Sequence, residues 1–579
     1  MKHPRVWDYE TTLPKKERKM RGHFSTPFPL VEQILDACGY TLENDLTRLC
    51  VLDPACGSGN FLLGAARRLL ASGLRGRLTP HALLTTLQRN LWGFDPDPVA
   101  CFLAEMQMRE LLSCADLQEA HPHGMSSVRF HIHQADGLTL PWEERAPVDI
   151  FLANPPYLAI KNNDLSGYQS AQHRGQVDSY LLFLDLALQV VRPDGWICLV
   201  LPDPVLARSN AAQQRGRLLA DTTVHHLWHL SEVFPAQVGA VVIIAQKHPP
   251  RQSHSVSWIR SKWMQAALPV TTQLSQVPQH LLRSQPHAEL RYLLSSKHDT
   301  LVGRLHASVC TTSTAENGQF VPLEHIVSIR RGEELGKKTK LLAKTPPTDK
   351  GVWYPVLLGG VDVQAYKTPC AQYWLAQDAI AKPLERYLAP KVLVVKSTAH
   401  LQATLDLRGH VALQTLYLLN LRITEHSDHK GGWCAGNGEH GDRKGGWHAG
   451  DGEHGDRKGS PLLYTREQDG YSSDRKRWLC QLYFLLALLN SRLLREYVYV
   501  LHTAYKWVQP QIEQYVLARL PIPLVTAEKR TEISRRARQL LLVYAEISSV
   551  VELKEHSHTL YEELELVIRG LYEDALSIH

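Results

Sequence analysis

The chain has 579 residues, 44% of them hydrophobic and 21% charged, which excludes a fibrous or wholly disordered protein and allows two or three domains. Its formal net charge of +6 permits a nucleic-acid partner without demanding one. The ten cysteines include no CxxC pair, which argues against a zinc ribbon or a disulfide framework, and no metal site is expected.

Residues 1–20 are charged and lack an apolar core segment, and no later apolar run is long enough to cross a membrane, so we expect a cytoplasmic protein. Between residues 48 and 247, short β-rich runs alternate with segments of helical periodicity. This alternation predicts a doubly wound α/β sheet, with an extra helix over roughly Thr79 to Asn90. In such sheets ligands bind at the carboxyl ends of the strands, so the residues that follow each strand are the candidates for function.

The segment VLDPACGSGNFL, residues 51–62, is a strand that ends in an acid and a glycine-rich turn. Gly57 and Gly59 would let the backbone turn sharply and approach a ligand, although a tight structural turn has the same pattern. Asp95 in GFDPDP ends the next strand, where a carboxylate can accept hydrogen bonds from both hydroxyls of a ribose, and Asp136 in HQADGL ends the strand after it. A surface Asp that caps the following helix is the alternative for each.

The sequence NPPY, from Asn154 to Tyr157, directly follows the apolar strand VDIFLA. Its two prolines fix φ and remove backbone donors, so the carbonyls of Asn154 and Pro155 are predicted to be rigid, unpaired acceptors. Such acceptors suit an amine with a delocalised lone pair, such as the N6 amine of adenine. Accepting both of its hydrogens would favour a tetrahedral nitrogen and in-line attack on a methyl sulfonium without a strong general base.

Together these motifs resemble the γ class of adenine-N6 DNA methyltransferases, found among type II and type IIG restriction-modification enzymes. The matching segments follow the family's order: HFSTP (residues 23–27), DPACGSGNF, GFDPDP, QADGL, NPPY, VDSYLLFLDLAL and SEVFPAQVGAVVI (residues 231–243). The resemblance implies a Rossmann-like S-adenosylmethionine-dependent domain with a mostly parallel, seven-stranded sheet. It also implies site-specific methylation of a flipped-out adenine in double-stranded DNA, within a restriction-modification or related phage-defence system.

The resemblance assigns roles to individual residues. Thr26 and the turn after Asp53 would hold the methionine end of the cofactor, Asp95 its ribose and Asp136 its adenine ring. The implied cofactor-binding residues are Thr26, Asp53, Pro54, Ala55, Cys56, Gly57, Gly59, Asp95, Asp136 and Asn154. The implied catalytic residues are Asn154, Pro155, Pro156, Tyr157 and Phe234. The rings of Tyr157 and Phe234 would stack on the two faces of the extruded adenine, although Phe234 by itself has the pattern of a core residue.

We predict four regions along the chain. A catalytic domain spans residues 1–250, a connector with one or two helices spans 251–320, a mixed α/β target-recognition domain that binds DNA spans 321–525, and helices fill 526–579. The polar segment 158–176 would be a loop that orders on DNA. The resemblance also suggests a cognate restriction endonuclease or defence-system subunits as partners.

Two features of the C-terminal half allow two interpretations each. The glycine-rich stretch at about 426–460 repeats GGWCAGNGEHGDRK as GGWHAGDGEHGDRK, which predicts either a mobile insertion loop or a metal-binding tract of three histidines, His440, His448 and His454. Several lysines either contact phosphates or are solvated surface residues, namely Lys337, Lys338, Lys391 and Lys396.

Other activities stay open at this point. NPPY also occurs in methyltransferases that act on protein glutamine, but those enzymes lack a large recognition region. RNA methylation and cytosine-N4 methylation are further alternatives. A combined nuclease and methyltransferase would need a PD…ExK arrangement, and the ExK-like triplet Glu552–Lys554 lies within a helical pattern. A DNA-binding subunit with little activity of its own is the last alternative.

Overall fold

The structure is a computed structural model that describes residues 24–114, 128–142, 148–158, 168, 178–234, 239–263, 270–311, 319–336, 339–345, 351–422, 473–505, 510–546 and 551–577. The chain forms two units, residues 1–296 with 505–508 and residues 297–504 with 509–579. In the described ranges, no helix combines the length and the apolar character that crossing a bilayer requires.

In the part of the first unit that the structure describes, nine strands form one sheet of order β3-β2-β1-β4-β5-β7-β6-β8-β9. Its strands are β1 (Val51–Asp53), β2 (Leu91–Asp95), β3 (His131–Gln134), β4 (Val148–Ala153), β5 (Val191–Pro202), β6 (Thr223–Ser231), β7 (Ala240–Gln246), β8 (Ser255–Lys262) and β9 (Val270–Pro278). The first five strands pair in parallel, and β7 lies antiparallel between β5 and β6. The central strands β1 and β4 are almost entirely buried, as expected for a parallel sheet covered on both faces.

The helices of this unit are α1 (Phe28–Ala37), α2 (Asn60–Arg75), α3 (Pro80–Asn90), α4 (Pro98–Cys114), α5 (Ser179–Val190), α6 (Ala212–Asp221), α7 (Gln279–Arg283) and α8 (Tyr292–Ser295). Helix α3 confirms the extra helix predicted between Asp53 and Asp95. It begins where the Thr79 hydroxyl accepts a hydrogen bond from the Ala82 amide at 3.3 Å, with Pro80 in its first turn. The predicted mixed α/β fold with a mostly parallel central sheet is confirmed.

The expected count of seven strands is wrong, because β8 and β9 extend the sheet. Both strands come from the segment that was expected to be a connector, and the first unit ends at Ser296 rather than at residue 250. Along β8 the inward positions include Val256, Trp258 and Arg260, which alternate with more exposed residues. The serines and basic residues of this strand hid that alternation in the sequence.

Among its described residues, the second unit contains two four-stranded sheets and one strand pair, with orders β11-β18-β15-β16, β12-β14-β13-β17 and β10-β19. Its strands are β10 (Phe320–Pro322), β11 (Val327–Arg331), β12 (Leu342–Ala343), β13 (Trp353–Leu357), β14 (Tyr373–Ala376), β15 (Lys391–Val395), β16 (Ala403–Asp406), β17 (Val411–Ala412), β18 (Leu416–Leu421) and β19 (Pro521–Pro523). The buried strands β15 and β18 correspond to the apolar runs KVLVV and LYLLNL, so this unit has a core of its own.

The helices of the second unit are α9 (Leu301–Thr311), α10 (Leu323–Ile326), α11 (Glu385–Leu388), α12 (Ser473–Asn490), α13 (Arg492–Leu501), α14 (Gln514–Ala518), α15 (Ala527–Glu546) and α16 (Val551–Ser577). Helix α15 packs against α12 and α16, which agrees with the helical pair predicted from about residue 526. The triplet Glu552–Lys554 falls within α16. The repeated glycine-rich stretch with His440, His448 and His454 lies outside the described residues, as do Lys337 and Lys338.

Lys391 is not a phosphate contact, because its side chain is fully buried in the second unit. Its ammonium lies 2.6 Å from a carboxylate oxygen of Asp406 and also donates to the Tyr387 carbonyl. The other carboxylate oxygen of Asp406 lies 2.8 Å from Nδ1 of His410. The lysine therefore serves an internal ion pair, a role that sequence position alone does not distinguish from a surface role. Lys396 is partly exposed and stays a candidate.

Candidate active site

The turn after β1 depends on glycine for its shape. Gly57 and Gly59 have φ values of +52° and +92°, a backbone region in which residues with a Cβ are strained. A Cβ on Gly59 would also lie 2.8 Å from the Cβ of Ala104 on α4. The turn is thereby held tightly between the end of β1 and the start of α2, at the carboxyl edge of the sheet.

Two buried carboxylates face each other at this edge. Asp53 accepts a hydrogen bond from the Ala55 amide at 3.1 Å, while Asp95 accepts from the amides of Gly57 at 3.0 Å and Asp97 at 2.8 Å. Burial raises the pKa of Asp53 well above its ordinary value, the Ala55 amide opposes this, and the charge of Asp95 adds to it. Two acids in one buried site favour a ligand that brings positive charge or several hydroxyl donors.

These residues line an open cleft with about 440 Å³ of empty space, a volume that includes the solvent at its mouth. Of the predicted residues, the cleft is lined by Thr26, Asp53, Ala55, Cys56, Gly57, Asp95, Asn154 and Pro156. The structure adds residues that the sequence did not single out, namely Phe24, Ser25, Ser58, Asn60 and Phe61. The strand ends β1, β2 and β4 therefore contribute to one site, as the parallel topology requires.

The side-chain amide of Asn154 has a defined orientation. Its nitrogen donates to the Phe24 carbonyl at 2.5 Å and to the Thr26 hydroxyl oxygen at 3.1 Å. Because a carbonyl oxygen can only accept, the nitrogen must face Phe24, and this fixes Oδ1 as the acceptor end of the amide. Thr26, predicted to hold the cofactor, is therefore also in contact with the predicted catalytic residue.

Asn60 is a site residue that sequence reasoning missed. Its amide nitrogen donates to the Ser25 hydroxyl at 3.0 Å and to the Thr26 carbonyl at 2.9 Å, which ties the HFSTP segment to the start of α2. Its Oδ1 is buried and has no hydrogen-bond partner within the described part of the chain. A buried acceptor in a cleft of this kind is suited to an ammonium or hydroxyl donor of a ligand. Its position directly after the glycine turn is the sequence feature that could have marked Asn60 as a site residue.

The structure brings together Tyr157 and Phe234, the two rings predicted to clamp the base, but it does not place them in a stacking geometry. The rings of Tyr157 and Phe234 lie 6.3 Å apart at 77°, an edge-to-face arrangement, and Phe234 is only 4% exposed. Phe24 packs against both rings, at 5.3 Å from Phe234 and 5.6 Å from Tyr157. A planar base stacked between Tyr157 and Phe234 would require the two rings to become parallel, so one of these two rings would have to reorient, together with the Phe24 ring packed against it.

Asp136 follows β3 and lies beside the glycine turn that follows β1, but it does not line the cleft. The next residue, Gly137, packs so closely that a Cβ there would lie 2.2 Å from the Pro54 carbonyl oxygen. One carboxylate oxygen of Asp136 accepts from the Leu138 amide at 3.0 Å, and the other accepts from the Tyr168 hydroxyl. That hydrogen bond raises the pKa of Tyr168 to about 12. A contact of Asp136 with a cofactor ring stays a prediction.

The donor set of the cleft fits S-adenosylmethionine, which carries an ammonium, a sulfonium and two ribose hydroxyls. Buried carboxylates at Asp53 and Asp95 complement its positive charge and its hydroxyls. The acceptor oxygen of Asn60 offers a partner for its ammonium. The positive-φ turn at Gly57 and Gly59 brings backbone close to the cleft.

Comparison with known proteins agrees with this geometry. Residues 8–276 match the family model described as N-6 DNA Methylase. The type II methyltransferase M.VspI from Vibrio sp. (strain 343) is 24% identical over 219 residues, which are 37% of this chain and 45% of that protein. The type II methyltransferase M.BstVI from Geobacillus stearothermophilus is 25% identical over 226 residues, 38% of this chain and 40% of that protein. The match therefore spans less than half the length of these relatives.

A solved structure shares the fold over almost the whole chain. The type IIL restriction-modification enzyme MmeI, solved in complex with DNA, superposes with a TM-score of 0.57 over 97% of this chain and 77% of that one. The sequence identity is 12%, so this likeness concerns the fold alone.

Proposed function

Because residues 8–276 match the N-6 DNA methylase family, we propose that the chain is a site-specific DNA adenine-N6 methyltransferase. Its cofactor is S-adenosylmethionine, and its substrate is an adenine that is flipped out of double-stranded DNA. The observation that carries the proposal is the fixed amide of Asn154, whose acceptor end is set by bonds to Phe24 and Thr26 in a cleft lined by two buried acids.

The cofactor residues hold the methyl donor in place. S-adenosylmethionine supplies an electrophilic methyl group on its sulfonium. Asp95, oriented by the amides of Gly57 and Asp97, would accept hydrogen bonds from the ribose hydroxyls. Asp53 and the unpaired acceptor Oδ1 of Asn60 would hold the cationic methionine end, whose positive charge would favour the ionised form of Asp53 that burial disfavours.

The NPPY residues prepare the amine for attack. Oδ1 of Asn154 and the Pro155 carbonyl accept the two hydrogens of N6, which draws the nitrogen toward a tetrahedral shape with its lone pair exposed. The acceptors are fixed before the substrate arrives, so little reorganisation is needed at the moment of transfer. Positioning of the lone pair in line with the methyl group would provide most of the acceleration. As the N–C bond forms, the C–S bond would break to release a neutral thioether, and the surplus proton on N6 would pass to solvent.

The aromatic residues hold the extruded base. Tyr157 stacks on one face of the adenine and Phe234 on the other, and stacking of this kind stabilises a base by roughly 1–3 kcal/mol. Phe24 packs against both rings, and Tyr157 or Phe234 has to reorient before a base can stack between them. Base entry and completion of the site are therefore coupled in this proposal.

The second unit reads the target. Its strand β11 presents Arg330 and Arg331 to solvent, and together with Lys396 they are candidates for phosphate contacts. The type II relatives support a place in a restriction-modification or related defence system, with a cognate endonuclease or other subunits as partners. The cytoplasm is the expected location of such an enzyme.

The activity is tested by supplying labelled S-adenosylmethionine with duplex DNA, RNA or protein acceptors in parallel. Label in duplex DNA that requires Asn154 supports the proposal. Label in protein alone would refute it and favour a glutamine methyltransferase, and label in RNA alone would favour RNA methylation. Cleavage of unmethylated DNA with magnesium would add a nuclease activity to the assignment.

A further inference from the structure

One buried hydroxyl forms hydrogen bonds with the backbone of the segment that contains Tyr157. Ser179, the first residue of α5, is 3% exposed. Its hydroxyl donates to the Pro156 carbonyl and accepts from the Leu158 amide at 3.0 Å. Its own amide donates to the Leu158 carbonyl at 3.0 Å. Three hydrogen bonds from one residue therefore fix the backbone on both sides of Tyr157.

This segment has few other means of fixing its backbone. Pro155 and Pro156 have no amide hydrogen, so neither can donate to a neighbouring strand or loop. Tyr157 itself is tied at its far end, where its hydroxyl donates to the Val200 carbonyl at 3.3 Å. The hydroxyl of Ser179 thus supplies backbone bonds that the prolines of NPPY cannot provide.

The start of α5 is itself held in place. Asp178, which precedes Ser179, is 6% exposed and pairs with Arg208 at 3.1 Å. The Arg208 carbonyl accepts from the buried guanidinium of Arg215 at 2.7 Å. Ser179 is therefore connected to α6 through Asp178 and Arg208, although the Arg208 side chain itself is 58% exposed.

We propose that Ser179 is a positioning residue for methyl transfer, an inference that rests on the proposed function. By fixing Pro156 and Leu158 it holds the Tyr157 ring and the Pro155 carbonyl where the target amine must lie. It does not line the cofactor cleft, so its effect falls on the rate of transfer rather than on cofactor affinity. Nucleophile positioning is sensitive to shifts of about 1 Å, which can cost roughly 100-fold in rate.

The first unit offers a matched control for this arrangement. Ser72 on α2 is 8% exposed, and its hydroxyl accepts from the Leu46 amide at 3.3 Å and donates to the Asn44 carbonyl at 3.4 Å. As at Ser179, one serine hydroxyl bridges a carbonyl and an amide two residues apart. Ser72 lies outside the cleft lining and does not contact NPPY. Its replacement by alanine removes the same kind of bonds without touching the proposed site.

The experiment uses the full chain and duplex DNA that contains the modified site, with tritiated S-adenosylmethionine under single-turnover conditions. We expect Ser179→Ala to lower the transfer rate by about tenfold or more, since two hydrogen bonds are lost. Cofactor affinity by calorimetry should change less than about twofold, because the cleft is intact. Ser179→Cys, with similar volume and a weaker donor, should give an intermediate rate, and Ser179→Thr should restore most of it.

Ser72→Ala should lower the thermal unfolding midpoint about as much as Ser179→Ala does, while its transfer rate stays near that of the wild type. A wild-type rate in Ser179→Ala would overturn the positioning role, and so would an equal loss of rate in Ser72→Ala. The experiment also distinguishes a failure of the role proposed for Ser179 from a failure of the proposed methyltransferase function. Absence of methyl transfer to DNA by the wild-type chain would overturn the proposed function, and the inference about Ser179 with it.

Discussion

The substitution Asn154→Asp tests the orientation of the catalytic amide with almost no change of shape. In the structure the amide nitrogen donates to the Phe24 carbonyl at 2.5 Å and to the Thr26 hydroxyl at 3.1 Å. A carboxylate places an oxygen where that nitrogen stands, and two acceptors then face each other. We expect the side chain to rotate away from Phe24, so that the remaining oxygen leaves the position that receives N6.

The magnitude follows from the bonds that are lost. Loss of one hydrogen bond costs about 1 kcal/mol, and leaving the partly buried Phe24 carbonyl unpaired costs a further ~1–3 kcal/mol. A total of about 2–4 kcal/mol in the transition state corresponds to a fall of roughly 30- to 1,000-fold in the transfer rate. Cofactor affinity should be retained or increased, because the new negative charge faces a cationic ligand.

The assay is single-turnover transfer from a preformed complex with labelled cofactor, repeated at several pH values. Below the pKa of the introduced carboxyl group the rate should partly recover, since that group, once protonated, can again donate to the Phe24 carbonyl. The same substitution at Asn60 is a control, and it should alter cofactor affinity more than the rate at saturating cofactor. A wild-type rate for Asn154→Asp across this pH range would refute the role of the fixed amide.

Three other predictions follow from the geometry. Gly59→Ala should lower the thermal unfolding midpoint and weaken cofactor binding, because the residue has a φ of +92° and its new Cβ would lie 2.8 Å from Ala104; an unchanged midpoint would contradict the packing. Phe24→Ala should speed the fluorescence rise of 2-aminopurine at the target position, because it removes a ring that packs against both Tyr157 and Phe234 and hinders their reorientation; a slower rise would mean that Phe24 helps to hold the base. For Asp406, burial raises the pKa, but the ion pair with Lys391 and the hydrogen bond with His410 outweigh it and hold the pKa well below its ordinary value. A carboxyl group whose pKa is lower in the folded than in the unfolded chain, where it is about 3.9, stabilises the folded state at pH values above about 3.9. The free energy of unfolding, measured by denaturant titration, should therefore fall as the pH drops below about 4. In the apolar double variant Asp406→Leu with Lys391→Met, the free energy of unfolding should depend less on pH.

The site was predictable where local chemistry marks it. The acid and glycines of the first turn, Asp95 at the next strand end and NPPY after β4 all carry their signal in a few adjacent residues. Parallel topology then brings the strand ends to one edge, and most of the predicted cofactor residues line the same cleft. Helix α3 was predictable for the same reason, since its cap and its periodicity are local.

What escaped prediction depends on contacts between distant segments. Asn60 acts through the HFSTP segment, and Ser179 acts through NPPY across 23 positions of the chain. Phe24 belongs to a predicted motif, but its contact with both Tyr157 and Phe234 is a property of packing. Lys391 begins the apolar run KVLVV and pairs with Asp406 on the neighbouring strand β16, a contact between strands that the lysine's own sequence surroundings do not mark.

The identity of the methylated atom decides whether the proposed chemistry is right. Nucleoside mass spectrometry of duplex DNA treated with the chain and S-adenosylmethionine measures it directly. We predict N6-methyl-2′-deoxyadenosine with the wild-type chain and none above background with Asn154→Ala, while that variant still binds the cofactor. Methylation found on cytosine N4 or on protein glutamine instead, or adenine methylation undiminished by Asn154→Ala, would contradict the proposed function.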